Sequence, residues 1–504
     1  MNIQSSKYFN RSSFQSWKTI LFAALIVRLI AVVFSQGYGM HDDHFLIVEA
    51  SCSWVDGYDY NHWLPWTETN AGHPEGHSFT YVGLNFFYFY FMKLIGFSDP
   101  KVLMFFNRFL HALASMLVVY FGMKITEKLA DNKSAIRVGW LLALLWIMPF
   151  VSVRNLVEVA AAPLLVYGCW LLVKNESWRN FFLAGMVIGL SVSFRYQIGV
   201  FSISLGGLLL FQRKWKLFLA FCLGNAIVFS ITQGLVDYLI WGYPFAELMG
   251  YVTYNLKEGT TYLPNQNYFM YLIVLMGCFF VPLGLLMGYG FFRSAKKYLL
   301  LFVPTFAFIL FHTIYPNRQE RFILSVLPLF LILGVLGYDL VKDSIRKQRL
   351  WQISMVAFWM LNIPFLFFAS TMYSKKSRVE AMYYLHDKSN KEGRILLEGS
   401  AANRVSMMPK FYAKSWHATF VERTDNKQDL RVNPELDFDY IFFFDEKDLN
   451  KRIKAYRAIY PHIQLTFKSE PSGVDVLLRK LNPRNANEYI EVWQTNFKNK
   501  KKSE

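Results

Sequence analysis

Apolar residues run along this chain in long blocks broken by short charged stretches, and the blocks have the length that crosses a bilayer. Bounded by charge, they place spans near residues 17–36, 102–123, 138–153, 157–173, 181–195, 197–212, 217–240, 269–289, 298–313, 322–341 and 350–370. A mainly α, polytopic bundle of about eleven transmembrane helices is therefore expected over residues 1–370. The run at 81–97 is rich in Tyr and Phe and nearly long enough to cross as well.

Beyond residue 370 the pattern becomes that of an ordinary soluble domain. Helical periodicity covers 378–387, 400–412 and 446–459, while 394–398, 417–421, 440–444, 463–467 and 474–478 read as strands. These elements predict a small α/β domain at 371–485, followed by a polar tail at 486–504.

Charge fixes the sidedness of the bundle. Basic clusters occupy the N-terminal tail (Lys7, Arg11, Lys18) and the connections 124–137, 174–179, 213–216, 293–297 and 342–349, which are alternate connections. The positive-inside rule then makes the N-terminus cytoplasmic and puts the other connections, and everything after 371, outside. Counting 81–97 as a span would break the alternation, so it is expected as an interfacial helix on the outer leaflet, within a large first outer loop at 37–101. The first apolar run lacks a small-residue cleavage site and is expected as a retained helix rather than a signal peptide.

Composition agrees. Hydrophobic residues make up 54% and charged residues 18%, too apolar for a soluble chain of 504 residues. The net charge of +17 would point to nucleic acid in a soluble protein, but here the basic residues sit where topology requires them, and nucleic-acid binding is excluded on that ground. Cys169, Cys222 and Cys278 lie in spans and Cys52 lies alone in a loop, so no disulfide framework, zinc spacing or other metal site is expected.

Two groups of residues carry candidate chemistry, and both are predicted on the outer face. The first outer loop holds the run His41-Asp42-Asp43-His44-Phe45, with Glu49, Asp56, Asp59, Glu68, Glu75, His62, His73 and His77 downstream and Trp54, Trp63 and Trp66 among them. Carboxylates beside indoles suit a carbohydrate, because aromatic faces stack on sugar C–H surfaces while carboxylates accept hydroxyl hydrogen bonds. His44, Glu49, Trp54 and Trp63 are thus candidates for holding a sugar acceptor, against the plainer reading of a hydrated polar loop. The second group comprises Arg108, Arg154, Arg195, Arg318 and Arg321, all at or near outer span ends. An arginine beside hydrocarbon is costly unless a partner or polar cavity compensates it, and a phosphate at the membrane surface matches the guanidinium fork. Arg28, midway along the first span, is expected to pair inside the bundle.

Together these features describe an anionic, lipid-linked donor and a carboxylate placed to deprotonate an incoming hydroxyl. A sugar on a polyprenyl phosphate carries its own leaving group, so no cofactor is implied. Arg318 and Arg321, with Arg154 and Arg195 behind them, would stabilise charge on the phosphate, and Asp42 first, Asp43 second, is the candidate general base.

The run Pro316-Asn317-Arg318-Gln319-Glu320-Arg321-Phe322-Ile323, followed by Val326-Leu327-Pro328-Leu329, resembles the Pro-His-Lys-Glu-x-Arg-Phe motif of GT-C glycosyltransferases. Among these it is most similar to the α-mannosyltransferases of GPI-anchor and lipid-linked-oligosaccharide synthesis. Asp42-Asp43-His44-Phe45 resembles the first-loop Asp-Glu-x-Phe pattern of that family, in which an acidic residue is the base, with Asp43 in the second acidic position. The family's His-Lys-Glu is replaced here by Asn317-Arg318-Gln319, and Arg154-x-x-x-Glu158 loosely matches a further segment. The resemblance covers roughly residues 1–370 and implies a membrane glycosyltransferase more firmly than it implies mannose.

Expected, then, is an inverting hexosyltransferase that moves a sugar from a polyprenyl-phosphate donor to a glycan or glycolipid outside the membrane. The alternatives are a flippase or transporter of the lipid-linked sugar, or a protein O-glycosyltransferase of the same superfamily. Absence of an internal repeat and of many mid-membrane charges speaks against a transporter. The Asn-x-Ser sequons at Asn10, Asn132 and Asn175 all fall on the cytoplasmic side or its boundary, which favours a bacterial inner membrane over the ER.

Overall fold

The eleven apolar blocks are largely helical, because a spanning segment must satisfy every backbone N–H and C=O internally. The structure is a computed structural model, and it describes residues 16–39, 43–67, 73–257, 267–341, 345–386, 388, 393–399, 408–423, 438–481 and 489–495. Among the described residues, Trp17–Phe34, Pro100–Leu129, Val157–Lys174, Trp215–Trp241 and Ile345–Ser370 are each long and apolar enough to cross a membrane. Shorter apolar helices include Trp178–Phe194, Leu299–Ile314 and Leu327–Asp339. The chain divides into two compact units, one of Met1–Val33, His62–Leu84 and Asn107–Thr371, the other of Phe34–Asn61, Asn85–Phe106 and Met372–Glu504.

The first unit is the helical bundle. Two of its predicted spans are not single straight helices. The block at 138–153 is split into Asn132–Leu144 and Ile147–Ser152, and the block at 269–289 is a pair, Met270–Phe279 and Val281–Ser294, bent by 117°. Phe280, at the bend, has φ of 56°, the left-handed region that a bulky side chain rarely adopts. Such breaks free backbone groups, and the bundle supplies partners for them. Arg28, fully buried, donates to the carbonyls of Ala143 at 3.2 Å and Leu142 at 3.4 Å, and to Ser115 Oγ at 2.7 Å. Asn362 donates to the carbonyl of Leu144 at 2.7 Å and accepts from the Trp146 N–H at 2.9 Å. The Trp146 indole in turn donates to the carbonyl of Cys278 at 3.1 Å, so the two breaks lie against each other. Arg28 therefore pairs inside the bundle, as its depth in the first span requires.

Elsewhere small residues let backbones meet. Helices Trp178–Phe194 and Trp215–Phe229 approach through Gly185, Gly189 and Gly224, where a Cβ would run into the facing backbone. Phe22, Ile26, Ile30 and Val33 make one exposed apolar face on Trp17–Phe34, the arrangement of a helix whose outer side is solvated by lipid.

The second unit is built on a five-stranded sheet: β1 Arg394–Glu398, β2 Thr419–Arg423, β3 Tyr440–Phe444, β4 Gln464–Ser469 and β5 Ile490–Gln494. The order is β2-β1-β3-β5-β4, with β1 parallel to β2 and β3, and β5 antiparallel to β3 and β4. The uninterrupted apolar run Tyr440–Phe444 is buried at every position, which suits a central strand covered on both faces. Helices Lys376–His386 and Leu449–Arg457 fall where periodicity predicted them.

Two expectations for this unit differ from the structure. Residues 474–478, read as a strand, lie in helix Gly473–Leu481. Ser472 and Asp475 form its start: the Asp475 N–H donates to Ser472 Oγ at 3.2 Å and the Ser472 N–H to Asp475 at 3.3 Å, a capping box that outweighs the local β propensity of Val474 and Val476. The missing strand is instead Ile490–Gln494, which lies inside the sheet rather than in the expected polar tail. Of the helix expected at 400–412, Lys410–Ala413 is seen and residues 400–407 lie outside the described residues.

Part of the loop after the first span belongs to this second unit. Phe45, Val48 and Cys52, together with Phe89, Met92, Leu103 and Met104, share one hydrophobic core with Val379, Met382, Phe411 and Tyr412. Gly37 bridges to Ser374 with φ of 74°, and a Cβ there would strike the Ser374 carbonyl, so the position requires glycine. The aromatic segment at 81–97 forms helix Phe79–Leu94, on which Leu84, Phe87, Tyr90, Phe91 and Leu94 are exposed.

Candidate active site

In the bundle, four predicted arginines sit where helices end. Arg154 follows helix Ile147–Ser152, is 3% exposed, donates to the Phe150 carbonyl at 2.6 Å and lies over the Phe150 ring at 3.6 Å. Arg318 donates to the carbonyls of Thr313 at 2.8 Å and Ile314 at 3.4 Å, closing the C-terminal end of Leu299–Ile314 as a cation should. It also lies over the Tyr268 ring at 4.1 Å. Arg195 caps helix Trp178–Phe194, and Arg321 stands on the 3₁₀ turn Glu320–Ser325.

Arg195 and Arg321 converge on Glu158, which the sequence offers only through its spacing from Arg154. Glu158, in the first turn of Val157–Lys174, is 1% exposed. Its Oε1 is 3.0 Å from Arg195 Nη2 and 3.8 Å from Arg321 Nε. Ser325 Oγ donates to the Glu158 carbonyl at 3.1 Å, tying the Arg321 turn to the same helix. Phe322 lies beside both guanidiniums, at 5.0 Å from Arg195 and 5.9 Å from Arg321. A single carboxylate in the apolar start of a span was the available signal, since such a group is costly unless something nearby needs it. His312 is a second residue missed. It is 2% exposed, its Nδ1 donates to the Phe308 carbonyl at 2.8 Å, and its Nε2 has no hydrogen-bond partner among the described residues.

Trp63, also in the bundle unit, is buried and stacks on His77 at 4.8 Å. The following stretch is pinned by Glu247, whose Oε2 accepts from the N–H groups of Gly76 at 2.7 Å and His77 at 2.9 Å, and whose Oε1 accepts from Trp241 at 2.9 Å. Burial pushes this carboxyl up to about 7, against those same N–H donors, which act to lower it.

In the second unit, Asp42 lies outside the described residues, while Asp43 is 5% exposed, in right-handed helical conformation at the start of a π-helical turn His44–Glu49. π-helical turns are rare and concentrate at functional positions. The turn continues as Ala50–Val55. His44 is stacked between Tyr38, at 4.5 Å, and Tyr412, at 5.7 Å. Glu49 is fully buried, its Oε1 3.4 Å from His44 Nε2 and accepting from the Phe411 N–H at 3.1 Å. Burial raises the Glu49 carboxyl above its ordinary range, with His44, the Phe411 N–H and Lys410 acting in the opposite direction. Trp54 donates to Asp59 at 3.0 Å. Asp56 accepts from Trp416 at 2.9 Å and pairs with Lys93 at 3.0 Å and Lys414 at 3.3 Å. Burial would raise its carboxyl, but Lys414, Trp416 and Lys93 outweigh that and hold it low.

A bundle of apolar helices joined in one chain to a small C-terminal domain with a five-stranded sheet is the architecture found in GT-C membrane glycosyltransferases. The fold matches ArnT from Cupriavidus metallidurans, solved bound to undecaprenyl phosphate, with a TM-score of 0.62 at 12% identity over 95% of this chain and 98% of that one. It also matches the Archaeoglobus fulgidus oligosaccharyltransferase in complex with zinc and sulfate, with a TM-score of 0.54 at 12% identity over 90% and 72% of the two chains. For AglB from the same organism, in complex with an inhibitory peptide and a dolichol-phosphate, the TM-score is 0.51 at 11% identity over 91% and 74%. The family model of the Alg9-like mannosyltransferases matches residues 19–407, and the chain belongs to that family. No curated protein matches the sequence. The protein is thus a multi-pass membrane glycosyltransferase.

Proposed function

We propose that this enzyme transfers a hexose, mannose by family, from a polyprenyl-phosphate donor to a glycan or glycolipid acceptor on the extracytoplasmic side, with inversion. The observation that carries the reading is the convergence of Arg195 and Arg321 on the buried Glu158 carboxylate, a cationic cluster in the apolar part of a family defined by sugar transfer. The lipid phosphates in the ArnT and AglB structures support the choice of donor.

In the proposed reaction Asp42, or Asp43 beside it, takes the proton from the acceptor hydroxyl as its oxygen attacks the anomeric carbon. The bond from that carbon to the phosphate oxygen breaks, and the electron pair leaves with the lipid phosphate. Arg318 and Arg321, backed by Arg154 and Arg195, stabilise the charge arriving there, the step at which a fixed cation contributes most. The donor supplies its own leaving group, so the reaction is written without a cofactor. His44, Trp54 and Trp63 are assigned to the acceptor side. The N-terminus is cytoplasmic, helix Phe79–Leu94 rests in the outer leaflet with its exposed rings in the headgroup layer, the C-terminal domain is outside, and the membrane is a bacterial inner membrane.

The test is sugar transfer by purified protein from a synthetic polyprenyl-phosphate mannose to glycolipid acceptors. Release of free lipid phosphate with loss of turnover in Asp42→Asn or Asp43→Asn supports the reading. Full turnover in both variants overturns the base assignment, and passage of intact donor across liposomes without cleavage overturns transfer itself.

A further inference from the structure

The first outer loop reaches its acidic turn through a segment that is folded into the C-terminal α/β domain. We infer that Glu49 is a positioning residue: by binding the backbone of Phe411 it ties the acidic turn at Asp43 to the C-terminal domain, which thereby sets where the general base stands. This rests on the proposed role of the aspartates.

Three observations carry it. Glu49, expected on the acceptor side, is fully buried, and its Oε1 is engaged by the Phe411 N–H at 3.1 Å in the first turn of helix Lys410–Ala413, where N–H groups lack helical partners. Asp43 and Glu49 bracket a single π-helical turn, so a displacement of Glu49 is passed to Asp43 along one rigid hydrogen-bonded unit. A second tie holds the next turn in the same sense. Lys414 lies 2.8 Å from Cys52 Sγ and 3.3 Å from Asp56, and Trp416 donates to Asp56 at 2.9 Å. Helix Lys410–Ala413 and the residues just after it thus grip the loop helix at two successive turns, and His44, stacked on Tyr412, closes the same contact. Burial favours the neutral form of Glu49, so an amide of the same shape can replace it.

The test compares Glu49→Ala, Glu49→Asp and Glu49→Gln in the full-length protein in nanodiscs, reading kcat and KM for donor and acceptor, with hydrogen exchange of the peptide covering 43–55. The expected result is a kcat lower by about 100-fold in Glu49→Ala, since an ångström of misplacement costs about that much. KM values stay within about twofold, Glu49→Gln restores most of the rate, and exchange over 43–55 rises in Glu49→Ala. Unchanged kcat in Glu49→Ala overturns the inference, as does a raised acceptor KM at unchanged kcat, which would make Glu49 a substrate contact. Should Glu49→Ala fail to fold, Glu49→Asp, which withdraws the carboxylate by one methylene, decides in the same way. Exchange unaltered over 43–55 overturns the tie independently of chemistry, whereas full activity of Asp42→Asn and Asp43→Asn overturns only the base assignment.

Discussion

Glu158 and Arg195 meet at 3.0 Å across two helix ends, the carboxylate in the first turn of Val157–Lys174 and the guanidinium one residue beyond Trp178–Phe194. Neither end could carry its charge alone in apolar surroundings. Removing Glu158 leaves Arg195 without its carboxylate, and breaking such a pair costs about 3–5 kcal/mol. Glu158→Ala is therefore expected to lower the melting temperature markedly, and Arg195→Ala to cost far less in the Glu158→Ala background than alone. Additive losses in a double-mutant cycle followed by thermal unfolding would show that the pair is not coupled.

On the proposed reading, lipid phosphate is a second anion for the same arginines. Polyprenyl phosphate, added without sugar, is expected to raise the melting temperature of the wild type, since a ligand of the folded state stabilises it by mass action. In Arg321→Ala the affinity falls about 10- to 100-fold, the loss of one charge-assisted hydrogen bond of about 1.5–3 kcal/mol. Titration of the thermal shift with lipid concentration gives both numbers, and equal affinity in the variant removes Arg321 from the phosphate site.

Arg28 holds open carbonyls where helix Asn132–Leu144 ends inside the bundle. Arg28→Leu removes the donors but keeps the volume, so Ala143 and Leu142 lose partners in a place water does not reach. The expected loss is about 3 kcal/mol, and Arg28→Lys recovers only part of it because an ammonium cannot span Ser115 and two carbonyls at once. Thermal unfolding of the three proteins in one detergent provides the comparison.

Span positions were legible because hydrocarbon imposes a length and a composition that few other environments require, and the apolar blocks are largely helical, yet among the described residues five helices, or six with the bent pair, are long and apolar enough to cross. The breaks at Leu145 and Phe280 were not legible, since they depend on partners more than 100 residues away in sequence, Arg28 and Asn362 for one and Trp146 for the other. For the same reason the arginines of the candidate site could be found by type and place, while Glu158 was visible only through its spacing from Arg154. Strand Ile490–Gln494 escaped because it follows a long polar stretch and is short, with Ile490 and Val492 on one face and Glu491 and Trp493 on the other; only pairing with β3 and β4 reveals it as part of the sheet interior. The share of the first loop folded into the C-terminal domain is a long-range packing fact with no local signature.

Glu247 gives the fold a pH dependence near neutrality. Its carboxyl ordinarily titrates at 4.5 and burial pushes it up to about 7, so the folded protein binds this proton more tightly than the unfolded chain. Its contribution to stability is greatest below about pH 4.5, declines as pH rises through the window to about 7, and is constant above it, a change on the order of 3 kcal/mol. Glu247→Gln keeps a carbonyl oxygen for the Gly76 and His77 N–H groups and removes the proton, so its stability relative to wild type should rise across that window. A difference in melting temperature that stays flat between pH 4.5 and 7 would show that Glu247 does not titrate there.

Two glycines in one helix are expected to respond oppositely to the same substitution. In helix Val281–Ser294 a Cβ at Gly290 would run into the carbonyl of Gly334 on helix Leu327–Asp339, while Gly337 faces the carbonyl of Gly290 in return. The two helices therefore touch backbone to backbone, and the obstacle is a main-chain carbonyl that cannot rotate aside. Gly288, two residues earlier, has nothing within 4 Å of its Cβ position. Gly290→Ala must separate the helices and is expected to cost about 1–3 kcal/mol, the usual penalty for overpacking. Gly288→Ala meets no obstacle and gains helix propensity, so it is expected to stabilise by up to about 1 kcal/mol. Thermal unfolding of the two single variants side by side separates these effects, and equal shifts in the same direction would mean that the close approach of the two helices is absent.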